Sequence, residues 1–307
     1  MSFTSNVKNE VCQIDGNKNE KIAELSAIIR NNGVYSKEKV ELSTENSKVA
    51  KRIYLLLKDL YQINPIIEDK INSFNRNRLF IITVKEKIDL ILNDLSVLDN
   101  NSYLPNPKEY IIDNEEEKRA YLKGVFLVSG SINDPKTSRY HLEFFINNYE
   151  EAVLISNLLN EFYLNSKITK KDKKYMIYIK EAEKNGDFLR IIGASNAVMY
   201  YEDIRIYRDH KNMTNRLNNM EQANIDKIIA TCNEQINDIN IIIDNGCKDL
   251  LDDKLVEAIE YRLKYPESSL QELSEIISIE TGKEITKSGL NHRFRKLREF
   301  ANKIKNN

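Results

Sequence analysis

The chain has 307 residues, a formal net charge of −1 at pH 7, 41% hydrophobic residues and 30% charged residues. This length allows two or three domains, and the composition excludes a membrane protein because no run of about 18 apolar residues occurs. The N-terminus also lacks the apolar core of a signal peptide, so we expect a cytoplasmic protein. Three scattered cysteines and three scattered histidines predict reduced thiols, no metal site and no cofactor.

Two apolar helices that end in glycine are predicted in corresponding places. The first, ELSAIIRNNG (24–33), has the layout of the second, YLKGVFLVSG (121–130), which lies 97 positions later. Gly124 stands inside the second helix, where glycine costs about 1 kcal/mol relative to alanine, and Ala27 is its counterpart. We expect the helices to pack closely at these small residues, and Gly33 and Gly130 to end them in the left-handed conformation.

The similarity continues beyond these helices. Residues 40–61 align with 142–163 with seven identities, at the spacing of one helical face, and the strand-like FIITVKE (80–86) aligns with YMIYIKE (175–181). Each copy predicts helix, two strands, helix, two strands and helix. Pro105 and Pro107 favour an extended link between the copies. The sequence therefore predicts a duplicated α+β domain with pseudo-twofold symmetry.

The segment after the second copy is polar and basic. We predict a short strand at its start and a helix over about 220–243 that ends at Gly246. Its cations could contact nucleic acid or form a solvated face, and the sequence does not separate these alternatives. They are Arg205, Arg208, Lys211 and Arg216.

The last sixty residues predict three helices. The first stops before Pro266, Ser268 or Ser269 caps the second with Glu272 placed for a capping box, and Thr286 caps the third. The third helix carries an apolar stripe opposite a polar face. This is the layout of a helix-turn-helix formed by the second and third helices, in which the third would enter the major groove. The stripe consists of Leu290, Phe294, Leu297, Ala301 and Ile304.

Charge supports a DNA-binding function for this third helix. Residues 281–307 contain eight Lys or Arg and two Glu, whereas residues 248–280 contain four basic and nine acidic residues. Phosphate binding requires such a concentration of cations, although a basic terminal helix can also be merely solvated. We predict DNA contacts from ten residues: Ser269, Thr286, Lys287, Ser288, Asn291, His292, Arg293, Arg295, Lys296 and Arg298.

The windows 25–33 and 122–130 resemble the LAGLIDADG helices of homing endonucleases in their two-copy, single-chain form. In that family an acidic residue before the terminal glycine holds the catalytic metals. Asn32 and Ser129 stand at the matching positions, and Arg30 and Leu127 stand where the motif's other acidic residue would be. The resemblance implies a retained fold, and the neutral residues imply a lost nuclease, because magnesium needs charged oxygen ligands.

Three segments, 215–239, SLQELSEI and ITKSGLNHRFRKL, carry a further resemblance. With the degenerate duplication before them they resemble the WhiA family, bacterial regulators linked to sporulation and cell division, over nearly the whole chain. The family implies a DNA-binding transcription factor whose terminal domain resembles the promoter-reading domain (region 4) of sigma factors. It also implies a role in chromosome segregation. We divide the chain into a first LAGLIDADG-like repeat (1–100), a second repeat (101–205), a connecting helical segment (206–247) and an all-α helix-turn-helix domain (248–307).

The predicted partner is double-stranded DNA, with another transcription or division protein as a further candidate, no membrane, and a nucleoid location. Two alternatives stay open. An active homing endonuclease would need acidic residues at positions 32 and 129. A nucleoid-associated protein-interaction scaffold would bind DNA without site preference, and its binding would be sensitive to salt.

Overall fold

The computed structural model contains two compact units, Met1–Arg208 and Asp209–Asn307. None of the helices in the described part of the chain is both long and apolar enough to cross a membrane. The predicted boundary between the repeats, at residues 100 and 101, lies outside the described residues. Those residues are 2–36, 38–71, 78–99, 102–137 and 139–305.

The first unit has the predicted α+β fold and internal duplication. After an N-terminal helix, each copy follows the order helix, two strands, helix, two strands, helix, and a short two-stranded sheet lies in the link. The elements are α1 (Phe3–Val11), α2 (Lys18–Asn32), β1 (Val34–Tyr35), β2 (Val40–Thr44), α3 (Ser47–Tyr61), β3 (Ile66–Ile71), β4 (Arg78–Val84), α4 (Ile88–Asp94), β5 (Leu98–Asp99), β6 (Ser102–Tyr103), α5 (Glu115–Ser129), β7 (Gly130–Ile132), β8 (Leu142–Ile146), α6 (Tyr149–Glu161), β9 (Lys167–Lys171), β10 (Lys174–Ile179) and α7 (Ala182–Ile191).

The two copies build antiparallel sheets of the same topology. The strand orders are β1-β2-β4-β3 and β7-β8-β10-β9. Alternate residues of a strand point to one face of its sheet, and in β8 the residues Leu142, Phe144 and Ile146 are all buried. In the neighbouring strand Ile177, which lies opposite Phe144, is also buried. The core of the unit lies on this face of the sheets, among the helices.

The helices α2 and α5 pack closely against each other, as the repeat predicts. A Cβ atom placed on Gly124 would lie 2.4 Å from the Glu24 carbonyl oxygen and 2.9 Å from the Ala27 Cβ, so only glycine fits this crossing. Both helices also begin with a capping box, formed by Asn17 in α2 and by Asn114 in α5. The pseudo-symmetry therefore extends to the caps of the helices.

The prediction that Gly33 and Gly130 are left-handed is wrong. Their φ angles are −73° and −89°, with ψ of 133° and 148°, which is extended backbone. The chain passes from each helix almost directly into a strand, and extended residues serve this junction. Glycine is required there for space, because an added Cβ would lie 2.5 Å from the Ile29 carbonyl oxygen at Gly33 and 2.4 Å from the Phe126 ring at Gly130.

Two buried charge clusters join the two copies. The carboxylate of Glu24 accepts hydrogen bonds from Arg52 at 3.0 and 2.7 Å, and the Lys123 ammonium of the other copy lies 3.0 Å away. The Arg30 guanidinium pairs with Glu151 of the second copy at 3.3 Å. Burial raises the pKa of Glu151, and Arg30 opposes this shift. Buried charges of this kind require their partners, because removing one leaves the other uncompensated.

The segment after the second copy differs from the prediction. Instead of a short strand, a polar stretch and a helix from about residue 220, one helix, α8 (Ser195–Asp244), covers the whole region. The predicted division at 205 and 206 therefore falls inside a helix. Near the predicted end, Gly246 has a φ of +67°, as glycine at a helix C-terminus often does.

The second unit has the predicted all-α helix-turn-helix composition. Its core combines residues from the end of α8, including Ile239 and Ile242, with the apolar faces of three further helices. Proline follows the first of these helices, at Pro266, as predicted. The helices are α9 (Asp253–Lys264), α10 (Leu270–Thr281) and α11 (Lys287–Lys305).

Candidate nucleic-acid interface

The helix-turn-helix consists of α10, the turn 282–286 and α11. Gly282 ends α10 in the left-handed conformation, with a φ of +69°. In the turn, the Ile285 N–H donates to the Ser278 hydroxyl at 3.0 Å. The Thr286 hydroxyl then accepts from the Gly289 N–H at 3.1 Å and caps α11. The turn is thus held by Ser278 of α10 and by its own last residue, Thr286, whose cap fixes where α11 begins.

The apolar stripe of α11 is buried as predicted. Leu290, Phe294, Leu297 and Ala301 lie in the core of the second unit, and Ile304 packs at its edge. This stripe fixes the rotation of α11 about its axis. The opposite side of the helix consequently faces solvent.

Five of the ten predicted DNA contacts form an exposed, uncommitted set on α11. None of their side chains makes a hydrogen bond or an ion pair with another residue in the described ranges. Their amide, hydroxyl, imidazole and ammonium groups are available to an external partner, and all lie in the first half of the helix. They are Lys287, Ser288, Asn291, His292 and Lys296.

Two predicted arginines are exposed but lightly paired. Arg295 lies 3.8 Å from Glu299 on the same helix, and Arg298 lies 3.0 Å from Glu234 of α8. Each partner is more than half exposed, and exposed pairs contribute little to stability. Both guanidinium groups can therefore turn towards a phosphate or a base at small cost.

Arg293 is placed differently from the other predicted contacts. Its guanidinium donates to the Glu257 carboxylate at 2.7 Å and to the Lys254 carbonyl at 3.2 Å, both on α9. The side chains of Arg293 and Glu257 are only 17% and 23% exposed. This arginine joins α11 to α9, which is a different role from contact with DNA.

Ser269 acts as the predicted cap of α10. Its hydroxyl accepts from the Glu272 N–H at 3.2 Å, and the Glu272 carboxylate accepts from the Ser269 N–H at 2.7 Å. This capping box lowers the pKa of Glu272. Ser269 and Thr286 thus both stabilise helix starts, and the remaining hydrogen-bonding capacity of each hydroxyl is available to a ligand.

Sequence reasoning did not single out Arg262 of α9, which lies beneath the start of α10. It is completely buried, and its ring partner Phe294 belongs to the stripe of α11. The sequence signal for its burial was its position among the apolar residues that face the core in the first helix predicted for the last sixty residues.

The positions that match the LAGLIDADG acidic residues are held by internal hydrogen bonds. The Asn32 amide oxygen accepts from the Ser43 N–H at 2.9 Å, and the Ser129 hydroxyl donates to the Val125 carbonyl at 2.8 Å. Neither side chain carries a charge. No group of three or more His, Cys, Asp or Glu suited to a metal ion occurs among the residues that the structure describes.

Arg30 and Leu127, at the motif's other acidic position, are both buried. Besides its pair with a carboxylate, Arg30 donates to three backbone carbonyls at 2.6 to 2.8 Å, those of Ser96, Leu104 and Pro105. These contacts hold the link between the copies. The motif's other acidic position is thus a structural one in the first copy and a core position in the second.

Of the four cations singled out in the segment 205–216, two make contacts within the protein and two are exposed. Arg205 pairs with Glu202 at 2.7 Å, and Arg208 donates to the Pro135 carbonyl at 2.7 Å. Lys211 and Arg216 are exposed. In the first unit, β9, β10 and the turn between them carry five lysines, which form a second basic surface: Lys167, Lys170, Lys171, Lys173 and Lys174.

Comparison with known families gives three matches that together span most of the chain. Residues 18–98 match the WhiA N-terminal LAGLIDADG-like domain, residues 118–211 match the WhiA LAGLIDADG-like domain, and residues 214–301 match the WhiA C-terminal HTH domain.

Similar proteins carry the same family name. The chain is 40% identical over 311 aligned positions to the "Probable cell division protein WhiA" of Enterococcus faecalis, with 99% of each chain covered. It is 42% identical to the protein of that name from Bacillus cereus, with 99% of this chain and 98% of the relative covered. The full-length WhiA structure from Thermatoga maritima has a TM-score of 0.58 at 22% identity and 99% coverage of both chains, which shows a shared fold. The chain belongs to the WhiA family.

Proposed function

We propose that this chain is a DNA-binding transcriptional regulator that acts in cell division, chromosome segregation or sporulation. The names of its relatives, which describe probable cell division proteins, support the cellular role. The helix-turn-helix supports the molecular one. Double-stranded DNA is the proposed partner, and a nucleoid location would follow from it.

The exposed, uncommitted face of α11 is the observation that carries this proposal. The amide, imidazole and ammonium groups opposite its buried stripe have no partner in the described ranges, so a ligand could bind them without breaking internal contacts. The net charge of residues 281–307, with eight basic and two acidic residues, suits a polyanionic partner. In proteins of this architecture, the start of the second helix contacts base edges in the major groove.

Asn291 and Arg295 are the proposed base readers. They are four residues apart and therefore lie on one face of α11, away from Leu290 and Phe294. An asparagine amide can pair with the donor and acceptor of adenine, and an arginine guanidinium with the two acceptors of guanine. The sequence and the exposure of both side chains are consistent with this division of roles.

Lys296 and Arg298 are the proposed phosphate contacts. Lys296 has no partner in the described ranges, and Arg298 would exchange its exposed pair with Glu234 for a phosphate. Such contacts fix the position of a protein on the duplex without reading its sequence. Their loss should weaken binding to all sequences alike.

We further propose that the duplicated domain is not a nuclease. Asn32 and Ser129 are neutral and already hydrogen-bonded to the backbone, so neither supplies the anionic oxygen that a magnesium ion requires. Arg30, at the motif's other acidic position in the first copy, is a cation and likewise supplies no anionic oxygen.

The test uses the full chain, because a cut near residue 205 would break α8. Genome-wide footprinting identifies target sites, and binding to one site is then measured across a salt series. Arg295→Ala should cost about 1 to 3 kcal/mol and relax preference at one base pair, whereas Lys296→Ala should lower the salt slope by about one unit without changing preference. The control is Lys303→Ala, an exposed lysine at the other end of the same helix.

Two outcomes would contradict the proposal. If Arg295→Ala and Asn291→Ala change neither affinity nor site preference, the assignment of α11 as the reading helix is wrong. If the full chain binds DNA with a steep salt dependence but no site preference, the protein is better described as a nucleoid-associated scaffold.

A further inference from the structure

Arg262 is a buried arginine whose guanidinium is only partly satisfied. Its side chain is 0% exposed and lies over the Phe294 ring at 5.3 Å. One terminal nitrogen, Nη1, donates to the Ser268 carbonyl at 2.6 Å and lies 3.4 Å from both the Tyr265 carbonyl and the Cys232 sulfur. The other two nitrogens, Nε and Nη2, are buried and have no hydrogen-bond partner in the described ranges.

This arginine also lacks a counter-charge. No carboxylate of the described residues lies within 4.0 Å of its guanidinium, unlike the buried Arg30 and Arg52 of the first unit, which both have one. Burial of an uncompensated charge is costly, and it lowers the pKa of Arg262. Two nitrogens without a hydrogen-bond partner and a charge without a counter-ion thus occur at the same buried place in the described part of the chain.

The space for such a partner is a cavity of about 290 Å³ that Arg262 lines. Two exposed lysines, Lys227 of α8 and Lys287 at the start of α11, lie on the same cavity and have no ion pair in the described ranges. Thr231 and Gln271 add polar side chains, Ile228, Cys232 and Leu270 add apolar ones, and no Asp or Glu lines the cavity. The cavity is therefore cationic from three different helices.

The start of α10 adds a further attraction for an anion. Ser269, Leu270 and Gln271 line the cavity, and they are the cap and the first two residues of this twelve-residue helix. Backbone N–H groups in a first helical turn have no partner within the helix, and the helix dipole favours negative charge there. The capping carboxylate of Glu272 is not part of the cavity wall.

We propose that this cavity binds a phosphoryl group. Lys227, Lys287 and the N–H groups at the start of α10 would bind its oxygens, and the Arg262 side chain would turn so that its two unpartnered nitrogens, which are closed to solvent in this structure, also donate to them. The volume corresponds to about ten water molecules, which leaves room for a phosphate and part of the molecule that carries it. An arginine fork together with two ammonium groups suits a doubly charged tetrahedral anion better than a single carboxylate.

Two sources can supply this group, a free phosphate or phosphorylated small molecule and a phosphate of the DNA backbone. Because Lys287 is the first residue of α11, a bound anion would tie the start of the reading helix to α8 and α10. This inference goes beyond the proposed function, and its first test contains no DNA. A failure of DNA binding therefore does not decide it.

The first experiment titrates the full chain with inorganic phosphate by calorimetry, at constant ionic strength in chloride. The expected result is saturable binding that weakens at least tenfold in Arg262→Met and in Lys287→Gln. The control, Lys283→Gln, removes a nearby exposed lysine outside the cavity and should bind phosphate as the parent does. This result would support the site with a free anion as its ligand.

The second experiment measures DNA binding across a salt series with the same variants. If inorganic phosphate does not bind but Arg262→Met lowers the salt slope by about one unit, the ligand is a phosphate of the DNA backbone. Because Arg262 is buried and makes no surface contact with DNA, a lower slope in a folded variant that keeps its site preference points to a phosphate in the cavity. Lys283→Gln again provides the comparison for a general loss of charge.

The proposal is overturned if the parent chain shows neither saturable phosphate binding nor a change of salt slope in Arg262→Met. Circular dichroism first establishes that this variant is folded. If it is not, the double variant Lys227→Gln with Lys287→Gln replaces it. Unchanged phosphate binding and a salt slope no lower than that of a double control, Lys283→Gln with Lys303→Gln, then overturn the proposal.

Discussion

Replacing Gly124 with alanine tests whether the close approach of α2 and α5 determines the stability of the first unit. The new Cβ would lie 2.4 Å from the Glu24 carbonyl oxygen, whereas ordinary contacts begin at 3.4 Å. Because that oxygen belongs to the backbone of a central helix, no side-chain rotation can relieve the overlap. The two helices must separate or shift along each other.

The expected magnitude follows from two opposing effects. Alanine is favoured over glycine in a helix by about 1 kcal/mol, which would stabilise the variant. Overpacking in a filled core costs about 1 to 3 kcal/mol, and separation of the helices also disturbs the Glu24 pair with Lys123 across the same interface. We expect a net loss of about 1 to 2 kcal/mol for Gly124→Ala and a larger loss for Gly124→Leu.

The assay is urea unfolding of the full chain, followed by circular dichroism. The matched control is Gly289→Ala, a helical glycine of α11 whose added Cβ would approach only the Thr286 hydroxyl, at 3.3 Å, and it should change stability by less than about 1 kcal/mol. Adding Ala27→Gly to Gly124→Ala should not rescue the variant, because the 2.4 Å backbone overlap stays and glycine in α2 itself costs about 1 kcal/mol. A midpoint for Gly124→Ala equal to or above that of the parent would refute the reasoning.

Three further predictions concern charge. Burial lowers the pKa of Lys8 to about 8 and raises that of Cys12 to about 12, from ordinary values of 10.5 and 9.0. Above pH 8 the folded state releases the Lys8 proton while the unfolded chain keeps it, so stability rises with pH; above pH 9 the Cys12 thiol acts in the opposite direction. Between pH 8 and 10 the urea midpoint of Cys12→Ala should therefore rise with pH, and that of Lys8→Met should fall above pH 9. The free energy of unfolding should change by at most about 1.4 kcal/mol per pH unit. If the two variants show the same dependence on pH, both pKa shifts are contradicted. Restoring Asp at both Asn32 and Ser129 should not create a nuclease, because catalysis also needs oriented neighbouring groups, and magnesium-dependent nicking of plasmid DNA by this double variant would show otherwise. Arg293→Ala should lower the unfolding midpoint of the second unit while leaving base preference unchanged, since its partners lie on α9; a changed preference in a binding-site selection would return it to the reading face.

The repeat and the caps could be predicted because they depend on local chemistry. Identities at helical spacing located α2, α3, α5 and α6, and the pattern of Ser269 and Glu272 located the start of α10. The long helix α8 was missed in its first half, although Ser195–Asp244 contains neither glycine nor proline. Polar composition was interpreted as a break in structure there, when the absence of a helix breaker was the better signal.

Features that depend on tertiary contacts could not be predicted in the same way. α1 has only nine residues, and a helix this short is marginal without the packing that buries Phe3, Val7 and Val11. The pair of Arg293 with Glu257 joins residues 36 positions apart. Arg293 does follow Leu290 by three positions, which places it at the edge of the buried stripe. This spacing could have distinguished Arg293 from the exposed residues among the predicted DNA contacts.

The buried charge pairs have made the two halves of the first unit unequal and mutually dependent. In the repeat alignment, Val49 corresponds to Glu151 and Leu127 corresponds to Arg30. Two first halves assembled together would bury Arg30 without its carboxylate, and two second halves would bury Glu151 without its guanidinium, at about 3 to 5 kcal/mol for each orphaned charge. A symmetric dimer of either half alone would therefore be less stable than the pseudo-symmetric unit. The two halves share one fold, but their buried charges make them complementary and no longer interchangeable.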